Sequence, residues 1–389
     1  MSAKKKKILV VTGNRADYGL LKKLINEIKK NRNLSLKILV TGSHLIKKYG
    51  YTLNEIRSDK NKVNYKVNLS INSDTPNDIS KAISYGIEKF SKILLYDKPD
   101  LAIVLGDRYE IFSFVVCANI HGLPIAHLHG GEITKGAIDD SLRHSITKMS
   151  DIHFVANKIY GKRVRQLGEN PRLIFNVGGL GVDQIHKNEL YTKKEIEKVK
   201  KFSFYKKNLI ITYHPETIKN KFNNENFDNI LRFLSNLKKT RIIFTSPNID
   251  IGNLEIYNKI KKFIKKNKNS IFFESLGHKM YLSIVNQVDV VIGNSSSGLS
   301  EVPFLKKPTI NVGERQKGRI QVHSVVNCNF DQKNLKKSLK KIYNKKFLKN
   351  LKSVVSPYGK GGAAKKILKI IKKINLKNIK NKKFIDLKI

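Results

Sequence analysis

The stretch Ile8–Lys30 reads ILVVTGNRADYGLLKKLINEIKK. An apolar run, Ile8–Val11, leads into the polar turn Gly13-Asn14-Arg15-Ala16-Asp17-Tyr18, and an amphipathic stretch, Tyr18–Lys30, follows. Strand, loop and helix in that order are the first part of a parallel βαβ unit. The pattern recurs outward from here. Short apolar runs stand at Leu36–Val40, Leu101–Leu105, Pro124–His127, Ile152–Val155 and Ile174–Val177, with amphipathic stretches such as Asp78–Tyr96 and Ile138–Lys148 between them. Such alternation predicts parallel strands with crossover helices. Lys187–Lys206 is charged and has no strand core. A second series follows at Leu209–Tyr213, Ile242–Thr245, Ile271–Phe273, Val288–Ile292 and Thr309–Val312. The expected fold class is therefore α/β, with two Rossmann-like domains facing a cleft. The expected boundaries are 1–185 for the first domain, 186–206 for a linker or helix, 207–360 for the second domain, and 361–389 for a C-terminal helix and basic tail. Beyond Ile374 the tail is expected to be loosely ordered.

Size and composition agree with two cores. The chain has 389 residues, of which 40% are hydrophobic, too long for one ordinary core. No apolar run approaches the ~20 residues of a membrane span; the longest, near Ile111–Ile120 and Leu123–Leu128, are broken by Ser113, Asn119, His121 and Gly122. Four lysines, Lys4–Lys7, precede Ile8–Val11. That run is shorter than the ~7–15 apolar residues of a signal peptide and ends in polar Asn14-Arg15. It reads as a first strand behind a solvated lysine tag, and the expected address is the cytoplasm. Cys117 and Cys328 are far apart and show no ligand spacing, which argues against a disulfide framework or a zinc site.

The net charge is +45, from 76 basic and 31 acidic residues. Nucleic-acid binding is one reading. A lysine-biased composition is the better one, because lysine is spread over the whole chain and travels with asparagine and isoleucine. No arginine-rich arm or aromatic RNA-binding signature is present. The charge still favours anionic substrates. No nucleic acid and no membrane are expected as partners; a homo-oligomer, dimer or tetramer, is.

Polar clusters follow the apolar runs. In the first half they are Gly13–Tyr18, Thr41-Gly42-Ser43-His44, Gly106-Asp107-Arg108-Tyr109-Glu110 and His129-Gly130-Gly131-Glu132. In the second they are His214-Pro215-Glu216, Ser246-Pro247-Asn248 and Gly293-Asn294-Ser295-Ser296-Ser297-Gly298. Any one of them is explained by loops being polar and glycine-rich. The set is better explained by a ligand crevice at the carboxyl ends of the strands.

Arg15 follows a strand and opens a helix, but no G-x-G-x-x-G fingerprint is present. The Gly-Asn-Arg turn can offer a guanidinium to a phosphate. The alternative is Asn14 as a helix cap and Arg15 as a surface charge. Ser295, Ser296 and Ser297 between glycines would place hydroxyls at a helix N-terminus, a cradle for a diphosphate. Glu301, a turn later, can accept from ribose hydroxyls or be a plain surface carboxylate. Asp107, Arg108 and Glu110 follow a buried run, so a carboxylate there is a candidate acid or base. On a helix starting near Ala137, Asp139 and Arg143 share a face at i,i+4, either as a surface ion pair or as an acid with its orienting arginine. His127, His129 and Glu132 do not form the helical H-E-x-x-H pattern, which argues against a metal.

In their order along the chain these motifs resemble the hydrolysing UDP-N-acetylglucosamine 2-epimerases of sialic-acid and legionaminic-acid biosynthesis. The resemblance runs from about Lys7 to Ile370: TGNRADYGLL at Thr12, TGSHL at Thr41, LGDRYEI at Leu105 and HLHGGEITKGAIDDSLRHSITKMSDIHF at His127. NVGGLGVD ending at Asp183, TYHPET at Thr212, TSPN at Thr245, IGNSSSG at Ile292 and RQKGRI at Arg315 continue it. The resemblance implies a two-Rossmann fold of the GT-B type, UDP held mainly by the C-terminal domain, and no metal or redox cofactor. It implies anti elimination of UDP across C1–C2 to a 2-acetamidoglycal, then water addition to give the free manno-configured sugar. Residue by residue, it implies Arg15 at the diphosphate, Asp107 in C2 proton transfer, Asp139 and Arg143 at the sugar, and His214 at the leaving phosphate. Ser295, Ser296 and Ser297 match the phosphate loop, Glu301 the ribose carboxylate and Arg319 a UDP-side arginine; Arg108 and Asn248 join the substrate set. Two positions depart from relatives. His129 stands where non-hydrolysing relatives carry a catalytic glutamate, with Glu132 the nearest substitute. Glu216 stands where a small or apolar residue is usual. Three alternatives are a non-hydrolysing epimerase, a GT-B glycosyltransferase and, remotely, a basic nucleic-acid-binding protein. The sugar stays open between N-acetylglucosamine and a 2,4-diacetamido-trideoxy sugar.

Overall fold

The computed structural model describes residues 5–47, 50–70, 75–134, 138–185, 189–215, 224–247, 253–379 and 382–387. The chain forms two compact units. The first comprises Met1–Glu132, Ile138–Gln184 and Tyr358–Ile389, the second Ile133–Ala137 and Ile185–Pro357. The segment expected as a linker, 186–206, lies within the second unit. The stretch expected as a separate C-terminal piece lies within the first.

Among the described residues the first unit is built on seven parallel strands: β1 Lys6–Thr12, β2 Leu34–Thr41, β3 Tyr65–Val67, β4 Leu101–Leu105, β5 Ile125–Leu128, β6 Ile152–Val155 and β7 Ile174–Asn176. Their order is β3-β2-β1-β4-β5-β6-β7. Successive side chains of a strand point to opposite faces. Ile8 and Val10 of β1 accordingly enter one core with Leu21, Leu24, Ile25 and Ile28, while Leu9 and Val11 enter the other with Phe90, Ile111 and Phe114. Burial on both faces is why the strand reads as an unbroken apolar run. The helix Arg15–Lys29 starts where the Asn14 side chain accepts from the Asp17 N–H at 3.0 Å. Gly19 inside it costs about 1 kcal/mol, which is outweighed by about 1.5–3 kcal/mol for each fully buried leucine or isoleucine of its inner stripe.

The returning helix Ala363–Lys373 packs Ala364, Ile367 and Ile371 into the same core. The buried Asp183 carboxylate fixes its start by accepting from the N–H groups of Gly362 and, at 2.8 Å, Ala364. The tail expected to be loose is bonded to the first unit over 382–387: Ile385 N–H donates to the Gly168 carbonyl at 2.9 Å, and Lys382 Nζ lies 2.7 Å from Glu169 Oε2.

Among its described residues the second unit has six parallel strands: β8 Lys207–Thr212, β9 Thr240–Thr245, β10 Ser270–Phe273, β11 Val290–Gly293, β12 Thr309–Val312 and β13 Val325–Cys328. Their order is β10-β9-β8-β11-β12-β13, the Rossmann order again. Leu209, Ile211, Ile242, Phe244 and Ile292 make one core; Ile210, Ile243 and Val291 make the other. The edge strands β3 and β13 were not expected from the sequence. In each sheet the strand order reverses between two neighbours, β1 and β4 in the first and β8 and β11 in the second. Ligands of open α/β sheets bind outside the carboxyl ends at such a reversal. Among the described residues no helix is long and apolar enough to cross a membrane.

Candidate active site

Both reversal points carry the polar clusters. In the first unit, β1 ends at Gly13-Asn14-Arg15 and β4 at Gly106-Asp107-Arg108. Gly13 is required by close approach: a Cβ there would meet Glu110 Cγ at 2.5 Å. The Glu110 side chain thus sits tight beneath the turn. Asn14 caps the helix, and Arg15 is its first residue. Arg15 makes no hydrogen bond or ion pair to another described residue; burial lowers its pKa, and Glu55 pulls it back up. A half-buried guanidinium left in that state is suited to an anion.

Arg143, on the helix Asp139–Met149, is the hub of the neighbouring cluster. Its side chain is 4% exposed and bonds Asp107 Oδ2, while Nη1 lies 3.4 Å from Glu132 Oε2. Burial works against its charge, but Asp107 and Glu132 outweigh burial and raise its pKa. The expected i,i+4 neighbour Asp139 places Oδ1 3.9 Å from Arg108 Nη1 and adds its charge to the field on Arg143. Arg108 Nε is 3.7 Å from Glu110 Oε1. Burial and the Glu110 carboxylate together push the Asp17 carboxyl well above its usual range. The structure thus brings together Asp107, Arg108, His129, Glu132, Asp139 and Arg143 from three separate stretches of sequence.

His129 has φ +66°, a left-handed conformation that costs a non-glycine residue about 1–3 kcal/mol and that clusters at functional sites. Its Nδ1 is 3.0 Å from Glu132 Oε1. Its partner in sequence, His127, has a different task. Fully buried, it donates from Nε2 to the Gly106 carbonyl at 2.8 Å and holds the turn before Asp107. Burial pushes its pKa down to about 3, so it is neutral at pH 7. Among the described residues no group of three or more His, Cys, Asp or Glu is placed to hold a metal ion.

In the second unit, His214 follows β8 and Asn294 follows β11. Both are buried, at 4% and 0% exposure. The Asn294 side chain accepts from the His214 N–H at 2.7 Å and donates to the His214 carbonyl at 2.8 Å. Gly293, at φ +143°, permits this approach: a Cβ would stand 1.9 Å from the Thr212 carbonyl oxygen. The serines do not open a long helix as expected. Ser295 caps a short 3-10 turn, Ser296–Gly298, and a four-residue helix, Glu301–Phe304, follows. The segment therefore presents hydroxyls and a tight turn, with little helix dipole behind them. Tyr281 Oη donates to Ser297 Oγ at 3.0 Å; burial pushes this phenol up to about 12. Tyr281 was not found from sequence, since nothing in its apolar helix marks it. Glu301 is buried and accepts from the Ser300 hydroxyl. Arg319, expected on the UDP side, donates to the Ile133 carbonyl at 2.7 Å and to Thr134 Oγ1 at 2.9 Å. Asn248 and Glu216 lie outside the described residues.

Comparison with known proteins gives a consistent set. The protein family described as UDP-N-acetylglucosamine 2-epimerase matches residues 26–372. A Campylobacter jejuni protein named GDP/UDP-N,N'-diacetylbacillosamine 2-epimerase (hydrolyzing) is 40% identical over 98% of this chain and 100% of its own. Polysialic acid biosynthesis protein P7 of Escherichia coli is 37% identical over 94% of this chain and 93% of its own. The fold matches that of Neisseria meningitidis UDP-GlcNAc 2-epimerase bound to UDP-GlcNAc, with TM-score 0.82 and 18% identity, covering 95% of this chain and 100% of that one.

Proposed function

Because this chain belongs to the UDP-N-acetylglucosamine 2-epimerase family, we propose that it cleaves a UDP-2-acetamido sugar by elimination and hydration, releasing UDP and the free C2-inverted sugar. The donor is UDP-N-acetylglucosamine or a UDP-2,4-diacetamido-trideoxyglucose, and the product serves nonulosonic acid synthesis. The observation that carries the reading is the cluster in which Arg143 joins Asp107 and Glu132, with His129 beside it. The names of the relatives, both hydrolysing and polysialic, support it. Ile8–Val11, read as a first strand, lies in the core strand β1; the proposed address is the cytoplasm.

The C2 proton is weakly acidic, so a positioned base must act as the C1–O bond loosens. The C2–H electrons become the C1=C2 bond, and UDP departs with the C1–O pair. The groups suited to the growing diphosphate charge are the His214 side chain and the hydroxyls of Ser295, Ser296 and Ser297, with Glu301 as the carboxylate for ribose; the Arg15 guanidinium is likewise suited to an anion. Preorganised donors aimed at developing charge are typically worth about 3–4 kcal/mol each. Water then adds across the double bond, with the C2 proton delivered to the opposite face.

The test is UDP release and product identification with both donors. Free sugar plus UDP is expected from at least one. Retention of an intact UDP-sugar epimer, or transfer to an acceptor, would overturn the reading.

A further inference from the structure

Resting on that elimination, we propose that Nε2 of His129 takes the C2 proton and that Glu132 is the positioning residue that readies it. The main chain of His129 is held in its left-handed conformation from both sides. Its N–H donates to the Phe154 carbonyl at 3.0 Å, and its own carbonyl accepts from Arg143 Nη1 at 3.3 Å. A conformation that a histidine adopts only at a cost is thus enforced, and it aims the ring. At one end of the ring Nδ1 is 3.0 Å from Glu132 Oε1. At the other, Nε2 is screened from solvent and has no hydrogen-bond partner among the described residues.

The carboxylates around it each give one oxygen to Arg143. Asp107 Oδ2 and Glu132 Oε2 both face Arg143. The imidazole keeps a proton-accepting atom in reserve. A carboxylate oxygen 3.0 Å from Nδ1 favours the ring proton at that end, which leaves the lone pair on Nε2. Nε2 takes the proton from C2, the C–H electrons form the double bond, and UDP leaves with its electron pair. Glu132 balances the imidazolium charge, and the proton is later lost to water. Inversion at C2 requires reprotonation from the other face, so His129 is not the donor in the second half.

The experiment uses the full chain with the donor that the wild type turns over. His129→Gly suits a positive φ and opens the space of the ring. It is expected to lose at least about 100-fold in kcat, to bind UDP within about 3-fold of wild type, and to regain UDP release when free imidazole is added. Glu132→Gln is expected to lower kcat, and the double variant His129→Gly/Glu132→Gln to be no slower than His129→Gly. Near-wild-type kcat in His129→Gly, no rescue by imidazole, or multiplicative losses in the double variant would each overturn the proposal. Should His129→Gly not fold, His129→Asn, which also tolerates this backbone, carries the same kcat comparison. A wild type that releases no UDP from either donor instead overturns the parent reading.

Discussion

Asn294 grips His214 by its main chain, with one amide group accepting at 2.7 Å and donating at 2.8 Å. Both partners are buried and stand at the ends of neighbouring strands, β8 and β11. The contact therefore sets where the His214 side chain departs from the sheet. Asn294→Ala removes both hydrogen bonds to buried main-chain groups of His214, at about 1–3 kcal/mol each. Urea unfolding should show a loss of about 2–4 kcal/mol, and UDP release should slow. Unchanged stability would mean that water replaces the amide at no cost.

Asp107→Asn should abolish turnover while leaving UDP affinity within a few-fold, because the proposed nucleotide groups His214, Ser295–Ser297 and Glu301 belong to the other unit. Arg143→Ala should be harsher. It strips the buried cation from Asp107 and Glu132 together, and a broken buried pair typically costs about 3–5 kcal/mol. Calorimetric titration with UDP alongside thermal unfolding separates the two variants. Loss of UDP binding in Asp107→Asn would make that residue structural.

Arg15→Ala should act mainly on substrate binding. Its guanidinium is half-buried and has no hydrogen bond or ion pair to another described residue, so removing it costs the fold little. UDP-sugar KM is expected to rise by 10-fold or more, roughly the ~1.4 kcal/mol or more of one charge-assisted contact, with Tm within about 2 °C. A stable enzyme with unchanged KM would leave Arg15 a surface charge.

The sequence was legible wherever a strand is buried on both faces. Leu101–Leu105 and Ile152–Val155 stand as read, because double burial demands an unbroken apolar run. β3 was invisible: Tyr65-Lys66-Val67 pairs on one side only and carries a lysine. The clusters after β1, β4, β8 and β11 were readable as a set, since turns at strand ends keep their polar residues together. What each residue touches was not. Nothing in HGGE shows that His129 lies at φ +66° or that Arg143, fourteen residues on, bonds its carbonyl. Those depend on how β5, β6 and the helix Asp139–Met149 pack. The tail misled for a related reason. It was expected to be loosely ordered, yet Lys382 meets Glu169, and a Cβ on Gly168 would stand 2.3 Å from the Phe384 ring.

Acid should weaken the fold through two buried histidines. His44 lies between Thr12 Oγ1 at 3.0 Å and Thr52 Oγ1 at 2.7 Å; His127 holds the Gly106 turn. Burial pushes each down to about 3, against about 6.5 in the unfolded chain. Between those values the unfolded state binds more protons than the folded one, so stability rises with pH. It is fully present above about pH 6.5 and is lost as pH falls toward 3. At pH 5 the loss is on the order of 2 kcal/mol for each histidine. Asp17 works the other way: its raised pKa gives stability that is lost as pH rises through the folded value. Comparing urea midpoints at pH 7.5 and pH 5 for wild type and His127→Gln isolates the histidine. Glutamine can still donate to the Gly106 carbonyl but does not titrate, so the variant should lose less stability on acidification than the wild type. An equal loss in both would mean that His127 is already free to protonate within the folded chain.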